Sequence, residues 1–215
     1  MPPAAVLFDL DGVLVDSEQL WDRIRRDVVA AHGGQWADGA TEAMQGMSTP
    51  EWARYLVDDL GARLTADEAA DTVITEMARV YADDAPVLPG AVAAVRAVAA
   101  KFPIAIASSA PPRIIRAFLD STGLEVGATL SSEQVGAGKP APDVYLEAAR
   151  LLGTTAPECA AVEDSSNGLR AATASGATVF AVPNPHFPPA DDALAGAHLV
   201  LGEISELPAA LDRLG

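Results

Sequence analysis

The sequence predicts an α/β fold: a doubly wound parallel sheet with helices on both faces and a helical domain inserted after its first strand. Three observations carry that reading. Short, near-continuous apolar runs recur along the chain, as strands covered on both faces require. Helical stretches opened by Pro or closed by Gly lie between them. One interval, Asp11 to Phe102, far exceeds the roughly dozen residues that a parallel crossover needs.

The strands follow in order. "AVLFDL" (5–10) is the first, and "PIAIASS" (103–109), "GATLS" (127–131), "CAAVED" (159–164), "TVFAV" (178–182) and "HLVL" (198–201) repeat its character. Helices separate them. "AVAAVRAVAAKF" leads into the second strand, and "PPRIIRAFLDSTG" pairs Ile114 with Phe118 and Ile115 with Leu119 before Gly123. "APDVYLEAARLLG" opens at Pro142 and stops at Gly153, and "SSNGLRAATASG" ends at Gly176. Abundant alanine suits closely packed helices.

The long interval has helical periodicity of its own. "SEQLWDRIRRDVVAAHGG" spaces Leu20, Ile24 and Val28 by four, and "TPEWARYLVDDLG" puts Thr49 at a cap, Pro50 in the first turn and Trp52, Leu56 and Leu60 on one stripe. "TADEAADTVITEMARVY" sets Thr65 and Glu68 in capping-box spacing. The insert is placed at 16–86, leaving 1–15 and 87–215 as the sheet domain.

Composition bounds the function. The 215 residues, 50% hydrophobic and 20% charged, can build a sizeable core without staples. A single cysteine, Cys159, excludes an intrachain disulfide framework, suits a reducing compartment and reads as an inert core thiol. The start "MPPAAVLFDLDG" has no basic leader and its apolar run is cut by Asp9, so no signal peptide or membrane span is expected and the default location is the cytoplasm. A formal net charge of -16 argues against a nucleic-acid footprint, which needs clustered Lys and Arg. An anionic substrate then requires cations supplied locally.

Those cations and their partners sit at strand ends. Strand alternation projects Asp9 and Asp11 to one side, and Gly12 lets the chain turn beside them. Two carboxylates in one small site repel unless a proton or a cation intervenes. A hard divalent ion answers that need, and Glu163 with Asp164 end another predicted strand just before a helix. "IASSA" offers the Ser108 and Ser109 hydroxyls to phosphate oxygens, and "AGKPAPD" places Lys139 before a helix start, where an anion is favoured. A carboxylate approaching a phosphoryl oxygen at about 4 Å meets roughly 4 kcal/mol of repulsion per charge pair at an effective dielectric near 20. Lys139 and a divalent ion can offset it.

"DLDGVLVDS", "IASS", "GKPAPD" and "VEDSSNG" together resemble the four ordered motifs of the haloacid dehalogenase-like hydrolase superfamily, in a helical-cap phosphatase branch similar to β-phosphoglucomutase and phosphoglycolate phosphatase. The similarity spans nearly the whole chain. It implies a Rossmann-like core, a helical cap, and Mg2+-dependent phosphoryl transfer through an aspartyl-phosphate. By that resemblance Asp9 is nucleophile and metal ligand, and Asp11 is acid and base, with its backbone carbonyl on the metal. Ser108 and Lys139 hold the phosphoryl group, and Asp164 completes the metal site with Glu163, directly or through water. Substrate choice falls to the cap, at Gln19, Leu20 and Arg23 and in the loop "QGMST" (Gly46, Ser48, Thr49). The implied partner is a small phosphate ester, sugar phosphates first, handled by a monomer or weak homodimer.

Other residues have plainer readings. Asp16 and Ser17 cap and hinge the first inserted helix, and Ser109 either binds phosphate or caps the helix after it. His32, His186 and His198 share no ligand spacing, and "VPNPHFPP" (182–189) is a rigid loop. Trp21, Trp52 and Tyr81 fall on apolar stripes and read as core. "GAGKPA" lacks the context of a dinucleotide fingerprint, and the proline after its lysine excludes a Walker loop. The closest competing activity is a β-phosphoglucomutase-like mutase, whose cap carries histidine near the position of Trp21 and arginine near that of Thr49; neither is present. A metal-free dehalogenase lacks an Asp11-type acid, and a phospho-accepting receiver module is shorter and has no cap.

Overall fold

In the computed structural model, which describes residues 1–44, 47–184 and 188–214, the first apolar run forms β1 (Ala5–Phe8). Helices α1 (Glu18–Ala31), α2 (Ala40–Ala43), α3 (Thr49–Asp58), α4 (Ala66–Asp84) and α5 (Ala91–Ala99) follow before β2 (Ile104–Ser108). Strand and helix then alternate through α6 (Pro112–Thr122), β3 (Ala128–Ser131), α7 (Asp143–Leu151), β4 (Cys159–Glu163) and α8 (Ser166–Ala174). The chain continues with β5 (Thr178–Ala181), α9 (Asp191–Leu194), β6 (Leu199–Val200) and α10 (Leu207–Asp212).

All six strands pair in parallel, in the order β3-β2-β1-β4-β5-β6, which is the doubly wound α/β architecture expected from the sequence. The order reverses between β1 and β4. Ligands of such sheets bind outside the carboxyl ends of the strands at that reversal, and the register carries Phe8 beside Val162 so that Asp9 and Glu163 emerge there together.

Alternation along the strands builds two cores. Val6 and Phe8 point to one face, with Ile106, Val162 and Phe180, against α5, α6 and the inserted helices. Ala5 and Leu7 point to the other, with Ala105, Ala107 and Ala161, where α7 and α8 press Ala148, Ala149, Ala171 and Ala172 onto small side chains. Most of the buried side chains on this second face are alanines. Each large side chain such as Phe8, fully buried, contributes about 1.5–3 kcal/mol. Cys159 lies in this core, donates to the Thr155 carbonyl at 3.3 Å and has its thiol pushed up to about 11 by burial, so it carries no reactive thiolate.

The segments before α1 and after α4 meet side by side. Val15 bridges Val87, the Asp16 amide donates to the Pro86 carbonyl at 2.8 Å, and the Leu88 amide donates to Leu14 at 2.9 Å. Between these segments run α1 to α4. Helix α4 packs on α6, where Arg113 donates to Thr75 at 2.9 Å and faces Asp71 at 3.7 Å. That exposed ion pair adds little beside the packing.

Several local expectations are corrected. β1 ends at Phe8 and not at residue 10, because the chain begins its turn at Asp9. Ser48, not Thr49, caps α3: its amide and hydroxyl donate to Glu51 at 2.7 and 2.6 Å, leaving Thr49 inside the first turn. "HLVL" supplies only the two-residue edge strand β6, with both residues exposed. Thr65 and Glu68 form their capping box as spaced. His32 caps the carboxyl end of α1, and His198 packs edge-on against Phe180; Gly46 and His186 lie outside the described residues. Among the described residues no helix is long and apolar enough to cross a membrane.

Candidate active site

The site begins where β1 stops. The Asp9 amide is still held by the Val162 carbonyl at 3.0 Å, so its side chain is fixed at the mouth of the sheet reversal. Gly12 then turns the chain with φ +77, a conformation that L side chains rarely adopt. A Cβ on Gly12 would fall 1.9 Å from an Asp164 oxygen, so the missing side chain leaves room for that carboxylate.

From the other side of the reversal, β4 delivers Glu163 and Asp164. One carboxylate oxygen from each of Asp9, Glu163 and Asp164 lies within 4.8 Å of the other two, and all three residues are buried. Lys139, from the loop ahead of α7, reaches into this group with its side chain 6% exposed and donates to Asp9 at 2.8 Å and to Glu163 at 2.5 Å. Tyr145 on α7 donates to the same Glu163 oxygen at 2.6 Å, and the Asp164 amide donates to the other at 3.0 Å. Glu163 is thus satisfied entirely by protein donors.

Three buried acids with one amine remain short of positive charge. Burial pushes the Asp9 carboxyl up to about 7, with the Glu163 and Asp11 charges adding and Lys139 opposing. Burial, reinforced by Glu163 and Asp9, raises Asp164 well above the carboxylate range. For Lys139, burial works against its charge, but Asp9 and Glu163 outweigh it and raise its pKa. The cluster therefore binds a proton or a cation, and its donors are hard oxygens. That chemistry suits a divalent ion of the magnesium or calcium kind.

Asp11 stands apart from the cluster. Its carboxylate accepts the Ser17 hydroxyl, and Ser17 is fully buried and makes no capping hydrogen bond to α1. Ser17 holds the N-cap position of α1 as expected, but its hydroxyl serves Asp11 and not the helix. Burial raises the Asp11 carboxyl, against the pull of Ser17, Trp21, Lys139 and Arg25.

Ser108 ends β2 fully buried, its oxygen accepting the Ala110 amide at 3.0 Å, on the wall of the same cavity. Ser109 is exposed on that wall, 3.4 Å from the Ser132 hydroxyl, and does not cap α6, whose first turn follows Pro111. Gln19, Arg23, Ser48 and Thr49 line the opposite, helical side. The cavity holds about 2020 Å³, more than the 300–1,000 Å³ usual for small-molecule pockets.

Arg25 and Tyr145 were missed, and Trp21, which packs against the core as expected, also faces the cavity. Trp21 is half-buried on the cavity wall, because α1 starts beside Asp11 and its first turn faces the site; Trp52 and Tyr81 are buried as expected. Arg25 also lines the cavity, held 5.0 Å from the Trp21 ring centre and 4.8 Å from that of Trp52. Its i+4 spacing from Trp21 was the available signal. Tyr145 hid within an apolar helix stripe.

A family model for haloacid dehalogenase-like hydrolases matches residues 3–176. The chain is 31% identical to hexitol phosphatase B of Escherichia coli O157:H7, over 95% of this chain and 94% of that one. Among solved structures, CbbY from Rhodobacter sphaeroides in complex with phosphate superposes with a TM-score of 0.85 at 27% identity, covering 98% and 99% of the two chains. A putative β-phosphoglucomutase from Thermotoga maritima gives 0.77 at 28% identity, also over 98% and 99%.

Proposed function

The chain belongs to the haloacid dehalogenase-like hydrolases and is a phosphatase-type enzyme of that family, and from that premise we propose that it hydrolyses a small sugar phosphate with magnesium, through a phosphorylated Asp9. The observation that carries this reading is the buried trio of Asp9, Glu163 and Asp164 with Lys139 between two of its members. Sugar substrates are supported by the relatives, hexitol phosphatase and fructose-1-phosphate phosphatase among them.

Asp9, Asp164 and the backbone carbonyl of Asp11 would hold magnesium. Glu163, its oxygens already taken by Lys139, Tyr145 and the Asp164 amide, fits a contact through water. The ion, when bound, supplies positive charge beside the phosphoryl oxygens.

The protein's own groups perform the steps. Lys139, 2.8 Å from Asp9, favours the ionised carboxylate that attacks phosphorus. The bond to the leaving oxygen breaks, and that oxygen takes the proton which a raised pKa lets Asp11 retain. A water then attacks the phosphorus of the acyl phosphate, giving its proton to Asp11, and the released phosphate leaves Asp9 free. Ser108 and Lys139 bind the phosphoryl oxygens throughout, with Ser109 at the rim. Residues 16–86 act as a cap over a core of 1–15 and 87–215, a division supported by the paired crossings at Val15 and Val87. Gln19, Arg23, Ser48 and Thr49 on that side would contact the substrate. The single buried cysteine suits work in a reducing cytoplasm.

Mutase activity is the second reading, supported by the T. maritima structure. Steady release of inorganic phosphate from hexose phosphates, dependent on magnesium and stopped by EDTA, is the expected result. Isomerised sugar phosphate without phosphate release, seen by 31P NMR, would favour the mutase; no magnesium-dependent turnover of any ester would overturn both.

A further inference from the structure

We propose that Arg25 binds a second anionic group on the substrate, a carboxylate or a second phosphate carried by the part of the molecule that leaves. The inference rests on the phosphatase reading and narrows its substrate class.

Among the described residues Arg25 makes no direct ion pair, although the Asp22 and Asp11 charges lie close enough to act on it. Its Nε is buried with no hydrogen-bond partner, and among the described residues no carboxylate pairs with it. The acids near it are committed elsewhere. Asp22 accepts Arg26 at 2.6 Å and the Thr41 hydroxyl, and Asp11 accepts Ser17. A guanidinium whose Nε is buried with no acceptor is costly, so in a chain with net charge -16 Arg25 offers an unused donor and a positive charge to an incoming anion.

Its orientation selects the ligand. Trp21 and Trp52, themselves 6.1 Å apart, lie within about 5 Å of the guanidinium carbon. Aromatic contact to a guanidinium restrains it without using its N–H donors, and that planar fork matches the two oxygens of a carboxylate or phosphate. A sugar hydroxyl would satisfy only one donor and no charge.

Its position separates it from the transferring phosphoryl group. That group is served by Lys139 and Ser108 from the sheet side, whereas Arg25 comes from α1. Asp11, which feels the charge of both cations, protonates the leaving oxygen and so marks the junction between phosphoryl and leaving group. Arg25 lies on the leaving-group side of that junction.

The test compares matched esters: fructose 1,6-bisphosphate with fructose 6-phosphate, and 3-phosphoglycerate with glycerol 3-phosphate, in the magnesium enzyme. The wild type should favour the second-anion member of at least one pair by roughly tenfold or more in kcat/KM, the scale of one charge-assisted hydrogen-bonded contact. The pair that responds identifies phosphate or carboxylate. Arg25→Met, which keeps an unbranched side chain between the indoles, should collapse that ratio to within about threefold, and Arg25→Lys should restore only part of it. No preference in the wild type, a measurement that needs no variant, or a ratio that survives in Arg25→Met, overturns the assignment. Absence of phosphate release from all four esters and from p-nitrophenyl phosphate defeats the phosphatase reading instead, and the inference with it.

Discussion

Replacing Gly168 by Ala separates packing at the site from helix stability, because the two effects have opposite signs. Gly168 is in the first turn of α8, where its amide donates to Ser165, and Ala there improves helix propensity by about 1 kcal/mol. The new Cβ, however, would stand 2.0 Å from the carboxylate carbon and both oxygens of Glu163. The carboxylate must move by more than 1 Å to reach ordinary contact, roughly 3.4 Å for non-bonded heavy atoms. It then loses Lys139 at 2.5 Å and Tyr145 at 2.6 Å. Two hydrogen bonds to a charged group contribute about 1.5–3 kcal/mol each, so the net change is a destabilisation of about 2–5 kcal/mol. Thermal unfolding should fall by at least about 4 °C for a chain of this size. With the partner of Lys139 displaced, kcat/KM and apparent magnesium affinity should drop about 10–100-fold. A Gly168→Ala enzyme with a raised Tm and unchanged magnesium dependence would refute the reasoning.

Asp9→Asn should abolish turnover, below about 10⁻³ of wild type, with an unchanged circular dichroism spectrum; wild-type rates would end the nucleophile assignment. Asp11→Asn should give a burst of about one leaving group per enzyme followed by near-silence, because the phosphorylated Asp9 lacks a base for water; mass spectrometry showing no added phosphate would contradict it. In EDTA the protein should lose stability as pH rises from 5 to 8. Asp9, raised from 3.8 to about 7 when folded, binds a proton more tightly than in the unfolded chain, and Asp164 and Asp11 shift the same way. Each such proton gives a slope approaching 1.4 kcal/mol per pH unit, in the range of about pH 4–7 for Asp9. Magnesium should flatten that slope in thermal melts, and a metal-free protein that gains stability across the range would exclude the buried acid cluster.

The sheet was legible because parallel strands buried on both faces leave continuous apolar runs, and acids ending such runs stand out. Asp9, Glu163 and Asp164 could be picked out for that reason, Ser108 as a hydroxyl at the end of another such run, and Lys139 by its place just before a helix start. Trp21, Ser17 and Tyr145 could not, and Arg25 left only its i+4 spacing from Trp21 as a sign. Each sits in a pattern with an adequate local explanation, a helix stripe or a cap, and acquires its neighbours only through packing of α1 or α7 against the strand ends. Ser17 illustrates the limit: as a helix-capping type ahead of α1 it satisfied a local rule, yet its hydroxyl turns to Asp11, six residues back. Strand ends shifted for a related reason. The turn at Asp9 and Gly12 is set by where Asp164 must fit, which is not encoded in the local run.

The convergence of distant acids on one divalent ion is tested most directly by anomalous diffraction from crystals grown with Mn2+ in place of magnesium. The account predicts a single peak per chain, touching carboxylate oxygens of Asp9 and Asp164 on the side away from Lys139. A peak elsewhere, or none at saturating Mn2+, would contradict it.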